Sequence, residues 1–453
     1  MIDLGKEAAQ LAQQPSDERI RGLKRIIPCA MVKAILKRTK RTRHCSRVPN
    51  WLMVWFMIGM GLFHADCYQQ IFRWLQAFRR QQPPGRSTLC EARKRLGIAP
   101  FRLLWKQVVA LLGTATASPG AFYRGLRLLA IDGFVLDVPD TENNARIFGR
   151  PGGRAPGAFP QARILALCEI GTHVIWHFLV KPIRRGEIKM AAYLLQFLQP
   201  GMLLLWDRGF VSYDTVATVV RQGAHFLGRA KTLLVFQEIR RFADGSYLSK
   251  VYASARQRER DQGGILVRVI EYTFTDPQRP GQGERHRLLT TLLDWRQHPA
   301  QRLILLYHQR WEEELAIDEV KTHQRGQSVL KSQTPAGVVQ EIYGLLLAHY
   351  VVRKLMFDAA VGKNLDPRRL SFTGTLNILR ARLGACPRSA TGITQWYADL
   401  VMEVGYAVLE PRRDRVNPRV IKRQVSKWPK KRPAHRCYPQ PTKKIRASIR
   451  ILC

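Results

Sequence analysis

Residues 126–138 read LRLLAIDGFVLDV, an apolar, β-branched stretch that ends at Pro139 and carries a carboxylate, Asp132, at its centre. This is a strand pattern. Downstream, ARILALCEI (162–170) and THVIWHFLV (172–180) read as two more strands meeting at Gly171 like a hairpin. EIKMAAYLLQFLQ (187–199) is an amphipathic helix, and MLLLWD (202–207) is a short, continuously apolar run of the buried-strand type. SYDTVATVVRQ (212–222) is helical and AHFLGRA (224–230) is a strand. The order β-β-β-α-β-α-β predicts an α/β core.

Outward from that core the material changes. Residues 1 to about 113 read as helical, with WLMVWFMIGMGLF (51–63) and YQQIFRWLQAFRRQ (68–81) lacking strand alternation. Thr88 and Glu91 have capping-box spacing after the turn at Pro83, Pro84 and Gly85. TATASPG (114–120) reads as a linker. GRPGGRAPGAFP (149–160) is rich in glycine, but it lacks GK[ST] and does not lead from a strand into a helix, so a phosphate loop is disfavoured. From about 233 to 300 the chain is polar and strand-like (VYASAR, ILVRVIEYTF, HRLLTTLL). A long helix from Arg302 to about Lys321 follows, then an apolar one around residues 342–356. The expected domains are a helical region over 1–118, an α/β domain over 119–405 with a β-rich insertion at 233–300, and a basic, flexible tail over 406–453.

The 453 residues hold 74 Lys plus Arg against 34 Asp plus Glu, a formal charge of +40. An apolar content of 46% excludes a wholly disordered chain. The charge calls for a polyanionic partner. The 13-residue apolar run at 51–63 is too short to span a bilayer, which leaves nucleic acid rather than a membrane. Seven Lys or Arg and no acid lie between Lys33 and Arg47, and residues 411–453 carry 15 Lys or Arg against one acid, Asp414. The eight cysteines form no CxxC, and MIDLGKEAAQ is not a signal peptide, so a cytoplasmic, nucleoid-associated protein with reduced thiols is expected.

In a chain this basic, acids inside apolar strands need a reason. A buried carboxylate must be hydrogen-bonded, paired or metal-bound. Asp132 lies on the first strand of the core and Asp207 ends the fourth, with Arg208 beside it as a further DNA-contact candidate. Neighbouring strands would bring the two acids together at a strand-end site. The helix YHQRWEEELAIDEVK (307–321) places Tyr307, Arg310, Glu314 and Lys321 within about 60° of one face, at 100° per residue. Asp318 also falls near that face, so an ordinary exposed face with ion pairs stays open. Three acids from separate segments can hold two Mg²⁺ or Mn²⁺ ions for in-line phosphoryl transfer.

These residues resemble the bacterial insertion-sequence DDE transposases, in particular insertion-sequence family four with its Tyr-(2)-Arg-(3)-Glu-(6)-Lys signature. Tyr307, Arg310, Glu314 and Lys321 match all its spacings, AIDGFVLDVPDTENNARIFG resembles the first acidic motif, and WDRGF the second. The resemblance implies an RNase H-like catalytic core with a β-rich insertion, and cut-and-paste transposition by a homodimer holding both DNA ends. It implies that Asp132, Asp207 and Glu314 hold two Mg²⁺ (or Mn²⁺) ions, and that Tyr307, Arg310 and Lys321 hold terminal DNA phosphates. A Trp, Trp311 or Trp295, would stack a flipped end base. A non-catalytic DNA-binding protein, and a nuclease or resolvase that cuts without joining, stay open as alternatives.

Overall fold

The computed structural model describes residues 21–41, 48–75, 84–152, 157–231, 234–279, 282–326, 328–387, 389–410 and 441–452. Part of the basic run at 33–47, the end of the 68–81 helix, the middle of the Gly-rich loop and most of the tail lie outside the described residues.

Helices open the chain: α1 (Cys29–Arg38), α2 (Asn50–Leu62), α3 (Tyr68–Leu75), α4 (Arg86–Leu96) and α5 (Ala99–Val108). Thr88 does not cap α4, as its spacing suggested. The helix starts two residues earlier, behind Gly85, so Thr88 and Glu91 both lie inside it. Then come β1 (Phe122–Tyr123), β2 (Leu126–Asp137), α6 (Glu142–Phe148), β3 (Gln161–Glu169), β4 (Ile175–Pro182), α7 (Glu187–Leu195), β5 (Met202–Trp206), α8 (Tyr213–Arg221) and β6 (His225–Arg229). The predicted order holds, with two additions, the two-residue β1 and the helix α6. The short α6 is nucleated by Thr141, whose hydroxyl accepts from Asn144 N at 3.3 Å.

The insertion supplies β7 (Arg240–Arg241), β8 (Tyr247–Val251), α9 (Ala255–Glu259), β9 (Ile265–Phe274) and β10 (His286–Thr290). VYASAR is therefore a strand only up to Val251. Ser254 caps a helix there, accepting from Gln257 N. The long helix expected over 302–321 is three pieces: α10 (Ala300–His308), α11 (Trp311–Asp318) and a π-helical turn (Glu319–Gln324). The break at Gln309 and Arg310 is a run of tight turns, with Gln309 N donating to Leu306 O and Arg310 N to Tyr307 O. One uniform 100° step therefore does not carry the whole signature, because the chain changes helix type twice between Tyr307 and Lys321. The elements α12 (Pro335–Gly362), α13 (Phe372–Leu383), α14 (Ala390–Val404) and β11 (Ile449–Ile451) complete the chain.

The molecule forms two compact units, and the division falls inside β2 and inside α11. The first comprises Met1–Ala121, Gly133–Arg185 and Glu314–Leu409. Its core is built around α2, whose residues from Leu52 to Leu62 are all buried. A helix apolar all round must be an interior helix. It lies against α12 at a close crossing, where a Cβ on Gly344 would stand 2.1 Å from Met57 O. The β3–β4 hairpin belongs to this unit, with Leu165 opposite Leu179. β3 continues the sheet from the last residues of β2, with Val138 N donating to Pro160 O.

The second unit comprises Phe122–Asp132, Gly186–Glu313 and Glu410–Cys453. Its sheet runs β2-β5-β6-β10-β9-β8-β7. β2, β5 and β6 are parallel, and the pairings beyond β6 are antiparallel. β5 is buried at every position, as its unbroken apolar run predicted. The last strand departs from the flexible tail expected over 406–453. β11 pairs antiparallel with β9 from Tyr272 to Phe274, just beyond the stretch that β8 covers. Asp276 holds the approach to it, accepting from Lys443 N.

Candidate active site

Register puts the two strand acids side by side. Ile131 pairs with Trp206 across β2 and β5, and Trp206 pairs with Gly228 across β5 and β6. The next residue on each neighbouring parallel strand is Asp132, Asp207 and Arg229. Residues in register on parallel strands point to the same face, and strands lie about 4.8 Å apart. Two carboxylates and a guanidinium therefore fall on one row, level with the C-terminal ends of β5 and β6, while β2 runs on for five residues past Asp132; strand C-terminal ends are the usual place for a site in such sheets.

Local chemistry fixes the row. The Asp207 carboxylate is turned by its own loop, with Gly209 N donating to Oδ1 at 2.7 Å. Gly228 is required for a different reason. A Cβ there would lie 1.9 Å from Nε1 of the buried Trp206, whose ring stacks on Phe226 at 4.8 Å. Arg229 is held partly by His286, 3.3 Å away.

The turn between α10 and α11 supplies what faces this row. Arg310 Nη1 lies 3.8 Å from Asp132 Oδ2, with side chains 17% and 26% exposed, so the pair is close yet open to a ligand. Tyr307 is nearly buried. Burial pushes its phenol up, the Arg310 and Arg229 guanidiniums pull it down, and the Asp207 carboxylate pushes it up again. Tyr307 thus stands within electrostatic reach of Asp207 and Arg229, and it hydrogen-bonds Arg310.

The remaining expected residues are distributed as follows. Arg208 is exposed beside Asp207. Trp311, the first residue of α11, is 52% exposed, whereas Trp295 is packed against Phe242 with ring centroids 6.4 Å apart. Of the two indoles, Trp311 is the one with a free face. Glu314 is partly buried in α11 and Lys321 partly buried in the π turn; both belong to the first unit. Glu313, next to Glu314, is 1% exposed. Among the described residues, no three His, Cys, Asp or Glu side chains gather closely enough to hold a metal ion. Sequence reading missed Arg229. Its only signal is a lone cation ending an apolar strand, and its level with the acids emerges from strand register alone.

A family profile for the transposase DDE domain matches residues 123–351, and one for the insertion element 4 transposase N-terminal region matches residues 17–106. The chain belongs to the DDE transposases of insertion element 4 type. A relative, the transposase InsG for insertion sequence element IS4 of Escherichia coli (strain K12), is 29% identical over 394 residues, 84% of this chain and 87% of the relative. Another Escherichia coli protein described as a transposase, InsZ, is 28% identical over 142 residues, 31% of this chain and 47% of its own. A solved structure of the piggyBac transposase synaptic complex with hairpin DNA aligns over 86% of both chains at 11% identity, with a TM-score of 0.42.

The DDE transposases cleave and transfer DNA strands, bind DNA and depend on divalent metal. The parallel β2-β5-β6 core with its helical N-terminal region is the RNase H-like fold that the sequence implied. Family membership sets aside the binding-only and nuclease alternatives. No helix among the described residues is long and apolar enough to cross a membrane.

Proposed function

We propose that this transposase moves an insertion sequence by cut-and-paste, cleaving at terminal inverted repeats and joining the freed ends to target DNA. What supports this reading is that Asp132 and Asp207 each follow the paired residues Ile131 and Trp206 on neighbouring parallel strands, with Arg310 Nη1 3.8 Å from Asp132. Their hard oxygen donors suit Mg²⁺ or Mn²⁺. Asp132, Asp207 and Glu314 would hold two such ions, Glu314 entering on the Tyr-Arg-Glu-Lys spacing. When bound, the metal lowers the pKa of the attacking water or 3′-hydroxyl and stabilises the departing oxygen.

The chain's own groups do the rest. Arg310 and Arg229 place positive charge where a phosphate would face the two acids. Tyr307, its proton retained by burial, donates a hydrogen bond to a phosphate oxygen. Lys321 and Arg208 grip neighbouring phosphates, and Trp311 offers a face to an unstacked end base. Residues 1–118 serve DNA binding and dimerisation, 119–405 catalysis with the insertion at 233–300, and 406–453 general phosphate binding. The working form is a homodimer with one DNA end per active site.

Asp132→Ala, Asp207→Ala and Glu314→Ala should each cut strand cleavage of inverted-repeat DNA about 100-fold or more, while the DNA is still bound. Full strand transfer by all three variants would end the proposal.

A further inference from the structure

The π turn carries a buried charged hub that the reaction itself does not use. Glu319, its first residue, is 7% exposed. Arg353 of α12 grips both its oxygens, with Nε 2.8 Å from Oε2 and Nη2 on Oε1. His349 Nε2 lies 3.0 Å from Oε2, and His173 Nδ1 lies 3.0 Å from Oε1. All three partners are 2% exposed or less. His173 reaches in from the β3–β4 turn with a left-handed φ of 57°. Phe372 roofs the hub, its ring centroid 5.3 Å from that of His349 and 5.7 Å from the Arg353 guanidinium carbon.

The other end of the turn is also nailed down. Gln324, its last residue, is 3% exposed, and its Nε2 donates to Gly61 O at 3.1 Å and Leu345 O at 2.9 Å. Between these two anchors Lys321 and Thr322 are partly buried and His323 is exposed. Every group named here lies within the first unit.

We infer that Glu319 is a positioning residue: clamped by Arg353, His349 and His173, it locks the π turn that presents Lys321 and the rotation of α11 that presents Glu314. This rests on the reading of Glu314 and Lys321 given above. Two physical arguments support it. A buried ion pair is a poor way to gain stability, since apolar side chains of similar volume often do as well or better, so a charged hub buried here points to a geometric task. A π turn holds an extra residue per turn, is rare, and is frequently found at functional sites. Relaxing it to α-helix would rotate the residues after Glu319 progressively, the shift building up to about 100° by Gln324. Glu314 lies five residues before Glu319, about 140° around the helix. With Glu319 fixed inward, Glu314 faces away from the hub.

The test uses full-length protein. Glu319→Ala alone would leave the Arg353 charge buried without its carboxylate, so the informative change is Glu319→Leu with Arg353→Met, which removes both charges at similar volume. The double variant should melt within a few degrees of wild type and bind inverted-repeat DNA within about fivefold. Its single-turnover cleavage rate should fall at least tenfold, and its half-saturating Mg²⁺ concentration should rise at least threefold. A stable double variant that cleaves at the wild-type rate with wild-type Mg²⁺ dependence overturns the inference. A double variant that melts far below wild type also overturns it, because the hub then serves the fold. Glu314→Ala, assayed alongside, separates the two levels: if it stays active, the reading of the site itself has failed.

Discussion

Tyr307 shows at the scale of one residue how burial selects a chemical role. Burial raises the phenol above its ordinary value of 10, outweighing the guanidiniums beside it. A raised folded-state pKa means the neutral phenol is the native form. That contribution to stability is complete below about pH 10 and is lost as pH rises through the higher folded value. In the working range Tyr307 is a hydrogen-bond donor and not a base. Tyr307→Phe should therefore lower cleavage by about 10- to 150-fold, the worth of one hydrogen bond to a charged group, equally at every pH from 6 to 9. A pH–rate profile that changes shape on this substitution would contradict the donor role. The sequence offered Tyr307 and Arg310 as candidates by spacing. It could not show that the helix breaks between Tyr307 and Glu314, because no Pro or Gly marks the break at Gln309 and Arg310.

At the scale of elements, the crossing of α2 and α12 is a close backbone approach within the first unit. Gly61 and Gly344 face each other there, and a Cβ on Gly61 would meet Gly344 O at 2.6 Å. Backbone cannot yield as a flexible side chain can. Gly344→Ala should cost about 1–3 kcal/mol, visible as a lower midpoint in denaturant unfolding with an unchanged slope. A variant as stable as wild type would show that the helices can separate at no cost. The helical character of 51–63 was legible from its residues, since an apolar run without strand alternation has little else to become. Its partner was not legible, because pairings between segments far apart in sequence leave no local pattern.

For the whole molecule, a charge of +40 predicts DNA affinity that falls steeply with salt. Two changes to the tail test two different expectations. Changing the Lys and Arg of 411–440 to Gln should leave melting unaltered. It should flatten the plot of log affinity against log salt by about 0.9 for each phosphate no longer neutralised, with little change in preference for inverted-repeat ends. Deleting 441–453 should instead lower the melting temperature, because β11 covers the edge of β9 from Tyr272 to Phe274. An unchanged salt slope in the first variant, or unchanged melting in the second, would refute the expectation it tests.

The sequence by itself determined the α/β core, the helical region before it and the need for a polyanionic partner, and it offered the acids at 132, 207 and 314 as candidates. Strand runs, helix periods and motif spacings are local quantities, and net charge is a sum over residues. Tertiary structure alone decided that β2, β5 and β6 lie side by side in register, which levels Arg229 with Asp132 and Asp207. It also decided that the signature helix breaks and then widens into a π turn around Glu319, and that the C-terminal residues return as a strand. These are set by packing and hydrogen bonding between distant segments, and their free energies have no counterpart in any short window of sequence.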